Sequence, residues 1–313
     1  MKILITGGCG YVGTPLTLSL LEAGHHVTVY DIQWFGNYLP NRANLCVVKG
    51  DIRDVDYIPM EGHEVVIHLA NIANDPCSDL NSKLNWEVNS LATMRLAERA
   101  ISSGVKQFIF ASSGSVYGVK EEPEVTEDLS LVPISDYNKT KMVSERVLLS
   151  YANDIVVNIV RPATVCGYSP RMRLDLSVNI LTMQAITKGK ITVFGGDQTR
   201  PNIHIKDMIR VYHHFLEKGM GLPGIYNAGF ENISILDIAN RVTKHIPAEV
   251  VVTPSNDPRS YRLSSAKLVA TGFQPKFTVE DGIQDVIEAF RSGKLQDEER
   301  YYNIKTMLKL ENL

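Results

Sequence analysis

The first thirteen residues, MKILITGGCGYVG, join a short apolar segment to a glycine-rich turn. Residues 2–6 form a strand pattern in which every position after Lys2 is apolar or β-branched, and an apolar helical pattern begins at Val12. Gly7, Gly10 and Gly13 recur at every third position between the two. Glycine permits a tight turn and lets a diphosphate approach the backbone, while the helix N-terminus offers free N–H groups. The order of strand, glycine turn and helix therefore predicts a dinucleotide-binding site.

Strand and helix patterns alternate over the first two thirds of the chain. The predicted strands lie at residues 2–6, 27–31, 45–49, 65–70, 107–112 and 155–161, and the predicted helices at 15–23, 86–103 and 136–153. The strands are nearly continuous apolar runs, which is typical of a parallel sheet that is covered on both faces. The pattern predicts an α/β fold with a Rossmann-type, doubly wound parallel sheet.

The pattern becomes shorter and more interrupted after about residue 167. We therefore expect a dinucleotide-binding domain at residues 1–167 and a smaller α/β substrate-binding region at residues 168–313. Parts of residues 191–230 are expected to return to the first domain. The tail from Leu295 is polar in pattern and is expected to form a surface helix.

Charge and composition exclude several other classes of protein. A net charge of −3 gives no reason to expect nucleic acid or an anionic membrane as partner. No apolar run approaches the roughly 20 residues of a membrane span, and the N-terminal residues do not have a signal-peptide pattern. The four cysteines are scattered, which predicts neither a metal site nor a disulfide framework. A cytoplasmic protein is the expectation.

The end of the second predicted strand favours NAD over NADP. Asp31 follows Gly13 by 18 positions, where an acid binds the ribose 2′-OH and repels a 2′-phosphate. Residues 33–35 supply no arginine to reverse this preference, and Arg42 is the only cation in the loop. Asp51 follows the third strand, where it would either hold the adenine or cap a helix.

Two further segments suggest catalytic groups. Tyr137 and Lys141 are four residues apart, so on a helix both lie on one face. Because tyrosine loses its proton only near pH 10, a neighbouring ammonium group is needed to favour the phenolate. Ser113 and Ser115 follow the fifth strand, at the edge where a ligand binds. A solvated helix face and a polar turn are the alternative interpretations.

The chain resembles the extended short-chain dehydrogenase/reductases that act on nucleotide sugars. The resemblance covers nearly the whole length and rests on TGGCGYVG, Asp31, GDIRD, HLAN, ASSGSVYG, YNKTK, RPATVCG and TRPNIHIKD. It implies Ser113, Tyr137 and Lys141 as the catalytic trio and a tightly bound NAD. The cofactor-binding residues that we expect are Gly7, Gly10, Tyr11, Val12, Gly13, Asp31, Asp51, Ile52, Leu69, Ala70, Asn71, Asn89, Ser112, Tyr137, Lys141 and Pro162.

The resemblance also implies a binding site for a nucleoside-diphosphate sugar. Arg200 and Arg259 match positions that bind the diphosphate, as suits the guanidinium fork. Asn179 resembles an asparagine that contacts a substrate phosphate, and Ser115 is a second candidate to bind the sugar. Arg171 and Arg173 are expected to contact the substrate or the carboxylate of a reoxidant, with loop surface charges as the alternative.

The family oxidises a sugar hydroxyl, usually at C4, and its members then diverge. Dehydratases carry Asp-Glu directly after the catalytic hydroxyl residue, whereas this chain has Gly114-Ser115, which cannot exchange protons near neutral pH. Cys166 is a candidate base for epimerisation at C3 or C5, and a buried structural cysteine is the favoured alternative.

Residues 169–176, SPRMRLDL, resemble a subgroup that includes GDP-heptose 4-dehydrogenases of bacterial surface-polysaccharide pathways. Our leading expectation is therefore a 4-dehydrogenase that uses a GDP-sugar and a 2-oxo acid as reoxidant. A 4-epimerase with a transient keto sugar is the nearest alternative, followed by a 4-ketoreductase and a non-catalytic NAD-binding regulator. The resemblance further implies a homodimer through the helices at residues 86–103 and 136–153.

Overall fold

The computed structural model describes residues 1–255 and 260–310. Its strands are β1 (Lys2–Thr6), β2 (His26–Asp31), β3 (Leu45–Lys49), β4 (Val65–His68), β5 (Gln107–Ala111), β6 (Val156–Pro162), β7 (Thr164–Cys166), β8 (Lys190–Phe194), β9 (Thr199–His204), β10 (Gly224–Ala228), β11 (Glu231–Ser234) and β12 (Glu249–Thr253). Its helices are α1 (Gly13–Glu22), α2 (Asp75–Leu80), α3 (Ser82–Trp86), α4 (Ala92–Ser102), α5 (Asp136–Ser150), α6 (Ser177–Lys188), α7 (Ile205–Lys218), α8 (Ile235–Thr243), α9 (Ala266–Ala270), α10 (Val279–Arg291) and α11 (Asn303–Lys309).

Seven strands form one sheet in the order β10-β6-β5-β4-β1-β2-β3, and every neighbouring pair is parallel. The predicted doubly wound parallel sheet is confirmed. Because all seven strands run in one direction, their carboxyl ends meet at the same edge, and the order reverses between β1 and β4. That reversal is the place where open α/β sheets bind ligands.

Helices cover both faces of this sheet, which explains why its strands are apolar at nearly every position. Ile3 and Ile5 of β1 pack on one face in a cluster with Leu16 of α1. Leu4, between them, points to the other face and belongs to a cluster with Leu96 of α4. Side chains alternate along a strand, so a strand that is buried on both faces needs apolar residues in both registers.

Much of the chain from β7 onwards forms a smaller unit beside the carboxyl edge of the sheet. Strands β7, β9 and β11 form a three-stranded sheet, and β8 pairs with β12. Helices α6, α8 and α10 enclose a separate apolar cluster that includes Ile191, Ile238 and Ile283. Strand β10 leaves this unit and forms an edge of the large sheet. Within the described ranges, no helix has both the length and the apolar character of a membrane span.

The segment predicted as one helix at residues 86–103 is interrupted by a π-helical turn at Glu87–Leu91. The wider turn frees the carbonyl oxygen of Asn89, which accepts hydrogen bonds from the hydroxyls of Thr93 and Ser144 at 2.8 and 2.7 Å. Such bulges are common near functional sites. Here the bulge aims the Asn89 amide at the loop that follows β4.

The expectation of a polar surface helix at the C-terminus is wrong. Leu295, Tyr301 and Met307 are 1%, 4% and 5% exposed. Leu295 and Tyr301 join the core on one face of the sheet, and Met307 joins the core on the other. The tail is therefore packed against the body of the protein, and α11 lies beside the ligand edge of the sheet.

Candidate active site

A deep cavity opens where β1, β2, β4 and β5 end, and most of the predicted site residues line it. The predicted residues in its wall are Gly7, Gly10, Tyr11, Val12, Gly13, Asp31, Asp51, Ile52, Leu69, Ala70, Asn71, Ser112, Ser113, Ser115, Tyr137, Lys141, Pro162, Arg171 and Arg173. They come from segments that are more than 150 residues apart in sequence. The parallel topology brings most of them together because they follow strands that end at this edge, while helix α5 adds Tyr137 and Lys141 and the loop after β7 adds Arg171 and Arg173.

The glycine turn holds its shape by close backbone contacts. Gly7 has a φ of +76°, and a Cβ atom there would lie 2.5 Å from the backbone nitrogen of Ala70. A Cβ atom on Gly13 would lie 2.3 Å from the carbonyl oxygen of Gly7. At Gly10 the nearest atom would be that same oxygen at 3.2 Å. Gly7 and Gly13 are thus required by the fold, whereas Gly10 leaves room for a ligand at the start of α1.

Asp31 is held in place at the end of β2. Its carboxylate accepts hydrogen bonds from the backbone N–H of Cys9 at 2.9 Å and of Gln33 at 2.7 Å. Burial raises the pKa of Asp31, and these two hydrogen bonds oppose that shift. The acid therefore links the glycine turn to the β2 end and faces the cavity, where a ribose diol would bind. The glycine cradle and the acid fit a dinucleotide.

Asp51 is oriented by an arginine two residues along the chain. Arg53 donates to both carboxylate oxygens of Asp51, at 2.7 to 3.1 Å, and also to Glu87 at 3.2 Å. Its side-chain and backbone hydrogen bonds outweigh burial and lower the pKa of Asp51. Asp51 is therefore a fixed, charged group in the wall of the cavity, beside Ile52.

Helix α5 carries Tyr137 and Lys141 into the cavity. The helix begins after Ser135, whose hydroxyl accepts a hydrogen bond from the backbone N–H of Asn138 at 3.2 Å. Lys141 Nζ donates to the carbonyl oxygen of Ala111, at the end of β5, over 2.7 Å, and lies 6.0 Å from the centre of the Tyr137 ring. The Y-x-x-x-K spacing thus sets both groups against the end of β5.

Three hydroxyl and amide groups form a chain beside this helix. The hydroxyls of Ser113 and Ser115 are 2.7 Å apart, and Ser115 donates to Asn138 Oδ1 at 2.5 Å. Ser113 also lies close enough to Tyr137 to lower the pKa of its phenol. Ser113 therefore links the predicted base to a second polar side chain, Ser115, that lines the cavity. A substrate oxygen at this point would meet two hydroxyls and the phenol.

Burial shifts the pKa values of the tyrosine and the lysine. The loss of water around Tyr137 raises the pKa of its phenol to about 12, while the positive charge of Arg173 and the hydrogen bond with Ser113 lower it. Burial lowers the pKa of Lys141 to about 7, and the Glu145 carboxylate opposes that shift. The phenol alone is a weak base at neutral pH, so its function depends on positive charge placed beside it.

A buried ion pair supports α5 from behind the cavity. Arg161 donates to both oxygens of Glu145, at 2.9 and 2.6 Å, and both residues are at most 2% exposed. Glu145 also accepts a hydrogen bond from the hydroxyl of Ser112. Breaking such a pair costs about 3–5 kcal/mol. The pair therefore fixes the helix that carries Lys141 against the strand end that carries Ser112.

The loop after β7 brings two arginines into the cavity wall. Arg173 forms an ion pair with Asp175 at 2.9 Å, and Asp175 also accepts a hydrogen bond from Asn74 at 3.1 Å. Asn74 has a φ of +77°, which is strained for a residue with a side chain. It lines the cavity together with Asp75. Sequence reasoning missed both residues, because a loop of asparagines and aspartates has no distinctive pattern.

Other predicted residues lie outside the cavity wall or outside the described residues. Asn89 is buried and exchanges two hydrogen bonds with the backbone of Ile72, so it shapes the loop after β4 instead of facing the cavity. Asn179 is fully buried: its amide accepts from the backbone N–H of Gly167 and donates to the carbonyl oxygen of Arg173. These partners leave the amide facing the protein, and a direct contact with a substrate phosphate does not fit this placement.

Two arginines and a cysteine complete the set of predictions. Arg200 lies on β9, in register with Ile233 of β11, and is not among the described residues that line the cavity. Arg259 falls outside the described residues. Cys166 is fully buried, and burial raises the pKa of its thiol far above the ordinary value. Within the described structure Cys166 is placed as a core residue, which leaves it no role as a base.

Comparison with known proteins supports the interpretation of the cavity. Residues 3–229 match the family described as NAD dependent epimerase/dehydratase family. UDP-glucose 4-epimerase from Corynebacterium glutamicum is 29% identical over 319 residues, covering 94% of this chain and 96% of that protein. The family match spans the glycine turn, the catalytic segment and strand β10, so it includes the whole of the large sheet.

Solved structures of two enzymes share the fold along nearly the full chain. UDP-glucuronic acid 4-epimerase from Bacillus cereus, in complex with UDP-glucuronic acid and NAD, has a TM-score of 0.82 and 28% identity, covering 93% of this chain and 99% of the other. UDP-glucose 4-epimerase from Thermotoga maritima, with UDP-glucose, has a TM-score of 0.83 and 26% identity, covering 94% and 99%. With its cavity, glycine turn and extended match, this chain belongs to the NAD-dependent epimerase/dehydratase family and uses NAD as its cofactor.

Proposed function

We propose that this protein is a nucleotide-sugar 4-epimerase whose substrate is a UDP-hexose. The observation that carries the proposal is the convergence of Ser113, Tyr137 and Lys141 at the end of β5, in the wall of the same cavity as the glycine turn. Relatives that match along almost the whole chain are named UDP-glucose 4-epimerases. We therefore favour epimerisation of a UDP-sugar over the oxidation of a GDP-sugar that residues 169–176 suggest.

The side chains of the trio supply a path for a proton. Tyr137 accepts the proton of the sugar C4 hydroxyl, and Ser113 donates a hydrogen bond to the same oxygen. The positive charge of Arg173 favours the phenolate that this transfer needs. A protonated Lys141, whose Nζ lies 6.0 Å from the centre of the Tyr137 ring, would add to this effect. NAD, held by the glycine turn and Asp31, would supply a reversible hydride acceptor for the sugar carbon. Tyr137 returns the proton after the sugar has turned its other face.

Dehydration is not supported by the residues beside Ser113. The next two positions are Gly114 and Ser115, and the Ser115 hydroxyl is engaged with Ser113 and Asn138. Neither residue exchanges a proton with carbon near neutral pH. The cavity therefore lacks, at this position, the acid–base pair that elimination of water requires.

The arginines of residues 169–176 do not favour release of a keto sugar. Arg173 forms an ion pair with Asp175, and Arg171 donates to Asn303 and to the carbonyl oxygen of Met172. Both arginines therefore already have partners within the protein. Arg173 remains our candidate to contact the sugar, because it lines the cavity and its charge acts on Tyr137.

The test is mass spectrometry and proton NMR of UDP-glucose, UDP-glucuronic acid and a GDP-hexose incubated separately with the enzyme in heavy water. Each substrate is incubated with and without a 2-oxo acid. We expect one UDP-sugar to give its C4 epimer, of unchanged mass and without deuterium. Loss of two hydrogens together with reduction of the oxo acid would instead establish a 4-dehydrogenase. Deuterium in the sugar product would show that the inverted carbon is C3 or C5 instead of C4.

Tyr137→Phe serves as the matched control, because it removes one oxygen and keeps the ring. We expect the turnover of this variant to fall by about 10²- to 10⁴-fold, the usual contribution of a general acid–base group. The Kd for NAD, measured by isothermal titration, should change little in this variant. Full turnover by the variant would contradict the proposed role of Tyr137 and, with it, the assignment of the trio.

A further inference from the structure

One arginine in the cavity wall is explained neither by the glycine turn nor by the catalytic trio. Arg171 is 2% exposed, and its guanidinium lies 4.0 Å from the centre of the Phe35 ring, four residues beyond Asp31. It donates to Asn303 Oδ1 at 2.6 Å and to the carbonyl oxygen of Met172 at 3.0 Å. Arg171 therefore lies at the Asp31 end of the cavity.

A further donor of this guanidinium, its Nε–H, is unsatisfied. Among the described residues, the buried Nε of Arg171 has no hydrogen-bond partner. A buried donor without an acceptor costs about 1–3 kcal/mol, and a charged donor costs more. Arg171 also lines the cavity, so its guanidinium lies beside a ligand that binds at the Asp31 end. A guanidinium suits phosphate and ribose oxygens especially well.

The C-terminal tail supplies the wall next to Arg171. Asn303 and Met307 line the same cavity, and Met307 packs in one cluster with Ile52. The tail is tied down by the backbone N–H of Leu174, which donates to the carbonyl oxygen of Tyr301 at 2.8 Å. A second tie is the backbone N–H of Asn303, which donates to the Asp175 carboxylate at 3.3 Å.

We propose that Arg171, Asn303 and Met307 form a clasp on the adenosine half of NAD, with the Nε–H of Arg171 donating to a ribose or phosphate oxygen. The clasp lies at the end of the cavity that Asp31 and Ile52 mark as the adenosine end, and it joins the tail to the loop after β7. It keeps the dinucleotide bound between turnovers. This inference concerns retention of the cofactor and holds whichever sugar the enzyme converts.

The clasp is tested by NAD binding, without any assay of the sugar reaction. The variants are Arg171→Met and Asn303→Ala, and Arg300→Ala is the control, since Arg300 is a largely exposed arginine of the same tail that pairs with Glu298. The Kd for NAD is measured by isothermal titration of the protein freed of cofactor, and the release rate of NADH by its fluorescence. We expect Arg171→Met to raise the Kd about 10- to 100-fold and Asn303→Ala to raise it less, with the control within twofold.

ADP-ribose, which contains the adenosine half and lacks nicotinamide, locates the effect. We expect Arg171→Met to weaken the binding of ADP-ribose and the binding of NAD by the same factor. Thermal unfolding without cofactor identifies variants that fail to fold, and Arg171→Lys then replaces Arg171→Met, because it keeps the charge and loses the Nε–H. Unchanged NAD binding and release in folded variants would overturn the clasp. Weaker binding of NAD with unchanged binding of ADP-ribose would overturn the assignment of the clasp to the adenosine half.

Discussion

At the scale of single residues, the site depends on how burial changes the chemistry of Tyr137 and Lys141. Burial raises the pKa of Tyr137 to about 12 and lowers the pKa of Lys141 to about 7. Both shifts favour the uncharged forms, whereas proton transfer from a sugar needs a phenolate beside an ammonium group. Positive charge from Arg173 opposes the shift of Tyr137, and the Glu145 carboxylate opposes the shift of Lys141. Tyr137 therefore needs further positive charge beside it before it can lose its proton.

The lowered pKa of Lys141 predicts how stability changes with pH. Between pH about 7 and its ordinary value of 10.5, the unfolded chain binds a proton at Lys141 that the folded chain lacks. The free energy of unfolding should therefore rise with pH across this window, by at most about 1.4 kcal/mol per pH unit, and be constant with respect to this group below it. Lys141→Met removes this contribution.

The measurement is urea unfolding of wild type and Lys141→Met, with NAD removed, at pH values from 6 to 9.5. We expect wild type to gain stability relative to the variant as the pH rises from 7, with a constant difference below that value. Parallel curves over the whole range would show that Lys141 keeps its ordinary pKa in the folded protein.

At the scale of elements, the β1–α1 turn separates two uses of glycine. A Cβ atom on Gly13 would overlap the carbonyl oxygen of Gly7, at 2.3 Å. A Cβ atom on Gly10 would approach that oxygen only to 3.2 Å and would otherwise project into the space for a ligand. The two positions look alike in the sequence, and only the close packing of the turn distinguishes them.

We therefore expect opposite results from two alanine variants. Gly13→Ala should lower the free energy of unfolding by at least about 2 kcal/mol, because backbone must move to admit the methyl group. Gly10→Ala should change it by less than about 1 kcal/mol and weaken NAD binding at least about tenfold. Urea unfolding and isothermal titration give both quantities. The reverse order of effects would contradict the roles assigned to these glycines.

At the scale of the whole molecule, one cavity joins the large sheet to the C-terminal part of the chain. Gly10 and Asp31 come from the sheet, Arg171 from the loop after β7, and Asn303 from the last helix. A ligand that contacts all four stabilises both parts of the protein together. The hydrophobic core also joins the two parts, because Tyr301 of the tail belongs to the cluster that contains Ile3 of β1.

Calorimetry should therefore show one cooperative unfolding transition that moves as a unit. At an NAD concentration 100 times its Kd, binding adds about 2.7 kcal/mol, which corresponds to a rise in Tm of roughly 5 °C for a chain of this size. Adenine alone, at the same concentration, serves as the comparison. Two transitions, of which NAD shifts only one, would show that the C-terminal part unfolds independently.

Local patterns are sufficient to predict six of the seven strands of the large sheet, all but β10, and several of the groups that follow them. The strand at residues 45–49 and the helix start at Asp136 were predicted at their observed positions. Gly10, Asp31 and Ser113 could be chosen from the sequence because parallel strands bring their carboxyl ends to one edge. Tyr137 and Lys141 could be chosen because residues four apart lie on one face of a helix. Apolar periodicity and short motifs act over a few residues, and this part of the protein is built from such local units.

Only the tertiary structure decided the rest. Asn179 resembles an asparagine that contacts a substrate phosphate. In the structure, however, its amide forms hydrogen bonds with the backbone of Gly167 and Arg173 inside the protein. The tail reads as a polar surface helix, but Met307 is buried beside the cavity. Arg171, which the sequence places 140 residues from Asp31, lies at the same end of the site. Contacts between segments so far apart depend on how the whole chain packs, and no pattern within a single segment contains that information.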